Sequence, residues 1–121
     1  MTCRLVGRAE DQIDALLLES ARKWGIAAAG NYHRLMLTAF TALAASPMLL
    51  GSRRIDRIVG VRAYPLRLGR SLVEPDQRAG QPRHIVVYRL GPDGIVEILG
   101  LAHDRMLLGR AARRMQRGSP R

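Results

Sequence analysis

Cysteine, aromatic rings, lysine and acid are all scarce in this chain. Its 121 residues include one cysteine, Cys3, so no internal disulfide can form and a reducing compartment fits. Cys3 also has no base beside it in sequence, which argues for a small apolar strand residue rather than a nucleophile. Aromatic residues make up 4% of the chain: Trp24, Tyr32, Phe40, Tyr64 and Tyr88. The core must therefore be mostly aliphatic. The interleaving of rings and cations that stacks single-stranded bases is missing. No apolar run approaches the ~20 residues of a membrane span, and the first residues lack the apolar core of a signal peptide. A cytoplasmic protein away from membranes is expected. No Cys/His cluster has metal-ligand spacing, and no glycine-rich loop opens a helix in the manner of a nucleotide site. Neither cofactor nor metal is expected.

Basic charge is abundant. Lys and Arg number 20 against 10 Asp and Glu, a net charge of +10. Lys23 is the one lysine, so the positive charge is almost wholly arginine, whose planar fork pairs bidentately with phosphate or carboxylate. Such a balance points to a polyanion or an acidic protein as partner. It fits equally a solvated surface rich in arginine.

Length suits one domain, 1–121, with a core that needs no staples. Residues 3–7 read as a short strand. Glu10 and Asp11 open a helix, where negative charge suits the macrodipole. Ile13, Leu16, Leu17, Ala21 and Trp24 follow at helical spacing, and Gly25 stops the helix. Tyr32, Leu35, Met36, Ala39, Phe40 and Leu43 make a second apolar stripe, which Ser46-Pro47 ends. The two helices form an antiparallel hairpin. Residues 51–57 read as an irregular basic link and 58–68 as a strand, with Pro65 placing an edge or bulge nearby. Residues 69–82 read as a turn-rich loop. Strands 84–90 and 95–102 flank the turn Gly91-Pro92-Asp93-Gly94. Asp104 is placed to cap a last helix. That helix carries Leu107, Leu108, Ala111, Ala112 and Met115 on one side and arginines on the rest, with 118–121 a frayed tail. The order β, α, α, β, β, β, α predicts an α+β fold: an N-terminal helical hairpin on a small antiparallel sheet, with a short basic C-terminal helix.

If the last hairpin closes with Leu90 opposite Ile95, His84 lies opposite Leu101 and diagonal to His103 on one face, a geometry that suits a two-imidazole site. A slip of one residue would separate them. Plainer readings stand beside this one. His33 falls on the polar side of its helix. His84 shares a face with Tyr88. His103-Asp104-Arg105 reads as a strand-to-helix corner with a bonded imidazole, a cap and an ion pair, and adjacency of His and Asp in sequence is a weak catalytic signal.

Taken in order, several segments resemble the ParE/RelE toxin superfamily of type II toxin–antitoxin modules, in its ParE, or plasmid-stabilisation, branch. They are 9–14, Trp24-Gly25, 32–43, Ala44-Ala45-Ser46-Pro47, 51–56, Gly60-Val61-Arg62, 83–89 and the terminal Leu101-Ala102-His103-Asp104-Arg105-Met106. The resemblance implies the two-helix, antiparallel-sheet toxin fold. It implies a growth inhibitor that binds DNA gyrase, alone or with its DNA engaged, and corrupts the cleavage cycle without chemistry of its own. An acidic antitoxin would neutralise it in a hetero-oligomer. RelE-like relatives instead cut mRNA on the ribosome, and for that activity the resemblance singles out Arg62, His84, His103 and Arg105 as catalytic. Charge makes Arg62, Arg105, Arg110, Arg113 and Arg114 the candidates for contact with target or antitoxin; the tail arginines read equally as a solvated face whose stems cover the apolar stripe. Gly100 stands where many members of the superfamily carry an arginine, and it cannot clamp phosphate with a side chain. This favours the non-enzymatic inhibitor over the nuclease; an inactivated relative that only binds is a third reading.

Overall fold

The computed structural model describes residues 3–75, 80, 82–103 and 108–118. The chain runs β1 (Arg4–Leu5), α1 (Ala9–Trp24), α2 (Ile26–Ala45), β2 (Arg53–Arg54), β3 (Val61–Pro65), a 3-10 helix (Leu66–Leu72), β4 (His84–Leu90), β5 (Val96–His103) and α3 (Leu108–Arg117). The strands form one sheet in the order β1-β5-β4-β3-β2.

This is the α+β architecture that the sequence predicts, a helical hairpin on a small sheet with a short basic helix at the end. The sheet is mixed rather than wholly antiparallel, because Arg4 and Leu5 pair in parallel with Glu97 and Ile98. The short strand expected over 3–7 is there, but its pairing with a partner so far along the chain leaves no local trace in sequence. Two spans expected to be irregular are ordered. Arg53 and Arg54 pair with Ala63 and Arg62, and the start of the expected loop 69–82 belongs to the 3-10 helix. The strand expected over 58–68 is shorter. Pro65 ends it, beyond the last residue that β2 pairs, so its missing N–H costs no bond to that neighbour. Asp104, Leu107 and the tail 119–121 lie outside the described residues.

Both faces of the sheet are covered, which is why β4 and β5 read as continuous apolar runs. The hairpin covers one face, where Leu35, Met36, Leu43, Tyr88, Ile98 and Leu101 are buried together. α3 covers the other, setting Ala111 and Ala112 on Val87, Leu99 and Ala102. Gly25 joins the two long helices with no linker at all. Its φ of 95° and ψ of 165° lie in a region that side chains do not tolerate. The stripe of α1 was expected to end in the core at Trp24. That ring is instead 75% exposed, and Ile26 across the corner is 86% exposed. The hairpin tip thus carries two large apolar side chains with no cover.

At the far end of the sheet Glu97 accepts a hydrogen bond from Arg89 Nε at 2.7 Å, and both side chains are buried. Arg4 reaches the other Glu97 oxygen at 3.3 Å and Asp93 at 2.8 Å. The Arg4 guanidinium holds the Asp93 carboxyl below its ordinary range.

Candidate functional site

The hairpin of β4 and β5 brings the two histidines together. His84 pairs directly with His103, and a bulge interrupts the ladder between Val87 and Tyr88. The two share a face as expected, but the diagonal placement is corrected to a directly opposed pair. Their rings meet edge to face, with centroids 5.3 Å apart and planes at 84°. Both lie on the side of the sheet that the helical hairpin covers, the side of Val86 and Tyr88.

Tyr32 comes down from the first half of α2 to meet them. Its hydroxyl is hydrogen-bonded to His84 Nδ1 at 2.7 Å, with ring centroids 5.7 Å apart. This contact fixes the orientation of the His84 ring. Tyr32 packs against the core as its stripe predicts; the sequence sets His84 on the face of Tyr88, but the hydroxyl that bonds its ring is that of Tyr32. Tyr88 instead turns its hydroxyl to Pro47 O at 2.5 Å and to the Ser52 hydroxyl. No spacing along the chain links a tyrosine on α2 to a strand fifty residues later.

The three rings line a groove of about 1000 Å³ between α1, the start of α2 and the ends of β4 and β5. Leu16, Leu101 and Trp24 give it apolar walls, while Glu19, Lys23 and Arg83 add charge. Glu19 and Lys23 are paired at 3.1 Å along α1. The exposed hairpin tip stands at one end.

Its floor is built by an unusual contact. β1 accompanies β5 only along Glu97 and Ile98, so the outer edge of β5 beyond that point needs another partner. Gln12 supplies it. Its side-chain amide donates to Leu101 O at 2.6 Å and accepts from Leu101 N–H at 2.9 Å, standing in for one more rung of the ladder. Gly100 permits this. A Cβ there would lie 2.5 Å from Gln12 Oε1 and 2.9 Å from Met115 Sδ of α3.

The remaining sequence candidates do not join the histidines. Arg62 pairs with Tyr88, four residues along β4 from His84, a distance of roughly 13 Å at strand rise. Its Nε donates to Ser52 Oγ at 2.8 Å. Arg105 lies outside the described residues. Arg110, Arg113 and Arg114 are exposed on α3, which covers the opposite face of the sheet. Burial pushes the Cys3 thiol above its ordinary range, in keeping with a structural residue. Among the described residues no three His, Cys, Asp or Glu side chains come together as a metal site, and no helix is long and apolar enough to cross a membrane.

The groove thus offers imidazole and phenol groups in an apolar setting, with one guanidinium among the described residues, Arg83, in its lining. No curated protein matches the chain. A family model described as the ParE toxin of the type II toxin–antitoxin system parDE matches residues 4–108, nearly the whole length. On that match, and with the helical hairpin and sheet that carry it, the chain belongs to the ParE toxin family of type II toxin–antitoxin systems.

Proposed function

We propose that this toxin binds DNA gyrase and arrests its DNA-cleavage cycle without performing chemistry, and that a cognate acidic antitoxin neutralises it. The observation that carries the binding reading is the burial of Gly100. Phosphoryl transfer without a metal needs cations fixed around the phosphorane as well as an acid and a base. Gly100 pairs with Val87 on the face that α3 covers, and Gln12 and Met115 fill the space a Cβ would take, so position 100 presents no cationic side chain to the histidines. Arg62 stands far along the sheet.

A second reading has its own support. The contact chain Tyr32–His84–His103 assembles groups able to move a proton, which favours a ribosome-dependent mRNA endonuclease. The two readings separate cleanly in one pair of assays. Under the gyrase reading the purified protein blocks supercoiling or accumulates cleaved DNA, and His84→Ala and His103→Ala retain that effect. Under the nuclease reading it leaves gyrase alone and cuts mRNA at codon-defined positions, and either substitution lowers cutting by about 100-fold or more. An intact protein inert toward gyrase but active on translated mRNA refutes the first proposal.

The antitoxin is proposed to lay an apolar segment into the groove, with the Trp24 ring as anchor. Exposed aromatic side chains at the margin of an apolar groove are the usual hot spots of such contacts. Trp24→Ala is expected to weaken antitoxin binding by about 30-fold, or ~2 kcal/mol. Isothermal calorimetry reads the loss. The urea midpoint of the free toxin should stay put, because the ring is exposed. An unchanged affinity would move the antitoxin elsewhere.

A further inference from the structure

The face of the sheet away from the groove carries a basic surface built by two separate elements. Arg110, Arg113, Arg114 and Arg117 recur at i, i+3, i+4 and i+7, which is one stripe of a helix, about 10 Å long. All four are exposed, while Ala111 and Ala112 on the other side of α3 are buried against the sheet. The link before β3 runs beside this stripe, where Arg113 Nη2 donates to the Arg57 carbonyl at 3.5 Å. Arg57 itself is held at φ 65°, the one non-glycine with positive φ among the described residues, a conformation that costs free energy and collects at functional surfaces. Arg53 pairs with Ala63, whose side chain belongs to the cluster under α3, so Arg53 projects to the same side.

Six arginines thus share one face. None is paired with a carboxylate among the described residues, and Asp56 is the one acid in the link 51–60. Large exposed apolar side chains are few here: Val59 lies in the link and Leu50 just before it, while others, among them Trp24, Ile26 and Leu37, lie on the hairpin. A protein interface needs an apolar or aromatic centre within its charged rim. A repeating array of guanidinium forks without such a centre matches the evenly spaced charges of a phosphodiester backbone.

We propose that Arg53, Arg57, Arg110, Arg113, Arg114 and Arg117 form a binding surface for the backbone of double-stranded DNA, contacting phosphates without reading sequence. The surface lies across the sheet from the groove, so it stands whether or not gyrase is the target.

Fluorescence anisotropy with a labelled mixed-sequence duplex of about 30 bp tests it on the full chain alone. Six phosphate contacts give a plot of log K against log salt with a slope of about −5, and roughly 1,000-fold weaker binding between about 50 and 200 mM salt. The combined substitution Arg110→Gln, Arg113→Gln and Arg114→Gln should make the slope shallower by about 3, since each lost contact removes about 1. Glutamine keeps part of the stem that covers the helix. Should that variant fail to fold, Arg113→Gln alone should shift the slope by about 1. Arg22→Gln with Arg34→Gln, on the hairpin, should leave it unchanged. Absence of binding at low salt, or a slope indifferent to the α3 substitutions, overturns the proposal. So does displacement of the duplex by polyglutamate at equal charge, which would assign the face to an acidic protein.

Discussion

Glu97→Ala should destabilise the fold by about 3–5 kcal/mol, the cost of stranding a buried charge. The Arg89 side chain is 6% exposed and that of Glu97 9%, with 2.7 Å between Nε and Oε1. Removing the carboxylate takes away the acceptor 2.7 Å from Arg89 Nε while the guanidinium stays in the sheet's interior. Against a total stability of about 5–15 kcal/mol for a domain, that is a large loss. The reverse change should be milder. With Arg89→Met, Glu97 keeps Arg4 at 3.3 Å, and Arg4 is half exposed to water. The double variant Arg89→Met with Glu97→Leu should recover most of the loss, because an apolar pair of similar volume carries no desolvation penalty. Urea unfolding measures all three through the midpoint at constant slope. If Glu97→Ala costs under ~1 kcal/mol, water reaches Arg89 and the pair is not truly buried.

Gly100→Val should cost about 3 kcal/mol even though it replaces a poor strand former with a good one. Strand preference favours valine by at most ~1 kcal/mol. Against this, the first added carbon falls 2.5 Å from Gln12 Oε1 and 2.9 Å from Met115 Sδ, and valine adds two methyl groups beyond it. Relief comes by swinging Gln12 away, which breaks both of its bonds to Leu101 at about 1 kcal/mol each. Overpacking adds ~1–3 kcal/mol. The coupling makes the cause testable. Gln12→Ala alone should cost ~1–2 kcal/mol. In its background Gly100→Ala should lose much of its penalty, a double-mutant interaction of about 1 kcal/mol. Strict additivity of the two changes would show that Gln12 is not what keeps position 100 a glycine.

The histidine pair shows how far the sequence could be read. The register expected from the turn residues set Leu90 opposite Ile95. In the structure Gly91 N–H bonds the Ile95 carbonyl at 2.8 Å, so the strands close one residue later, at Leu90 and Val96. The bulge beside Val87 absorbs a second residue. Either offset alone moves a strand's side chains to the wrong face. Together they restore it, so His84 and His103 share a face as expected, though opposite one another rather than diagonal. Periodicity made the helices, β4, β5 and the apolar side of α3 legible, because each repeats a local burial pattern. It said nothing of which residues on separate elements would meet. Tyr32 at His84, Gln12 at Leu101 and Arg57 at Arg113 are contacts between elements far apart in sequence, and no spacing encodes them. Trp24 fits its stripe perfectly well, yet as the last residue of α1 its ring is exposed at the groove rather than buried in the core.

The parallel pairing of Arg4 with Glu97 also sets a clock on biosynthesis. β1 is made some ninety residues before its partner, on the order of 5–20 s of translation. Gln12 waits as long for Leu101. Throughout that interval the apolar side of the helical hairpin has no sheet to lie on, so the nascent toxin holds the surface of its future core open to whatever else is in reach.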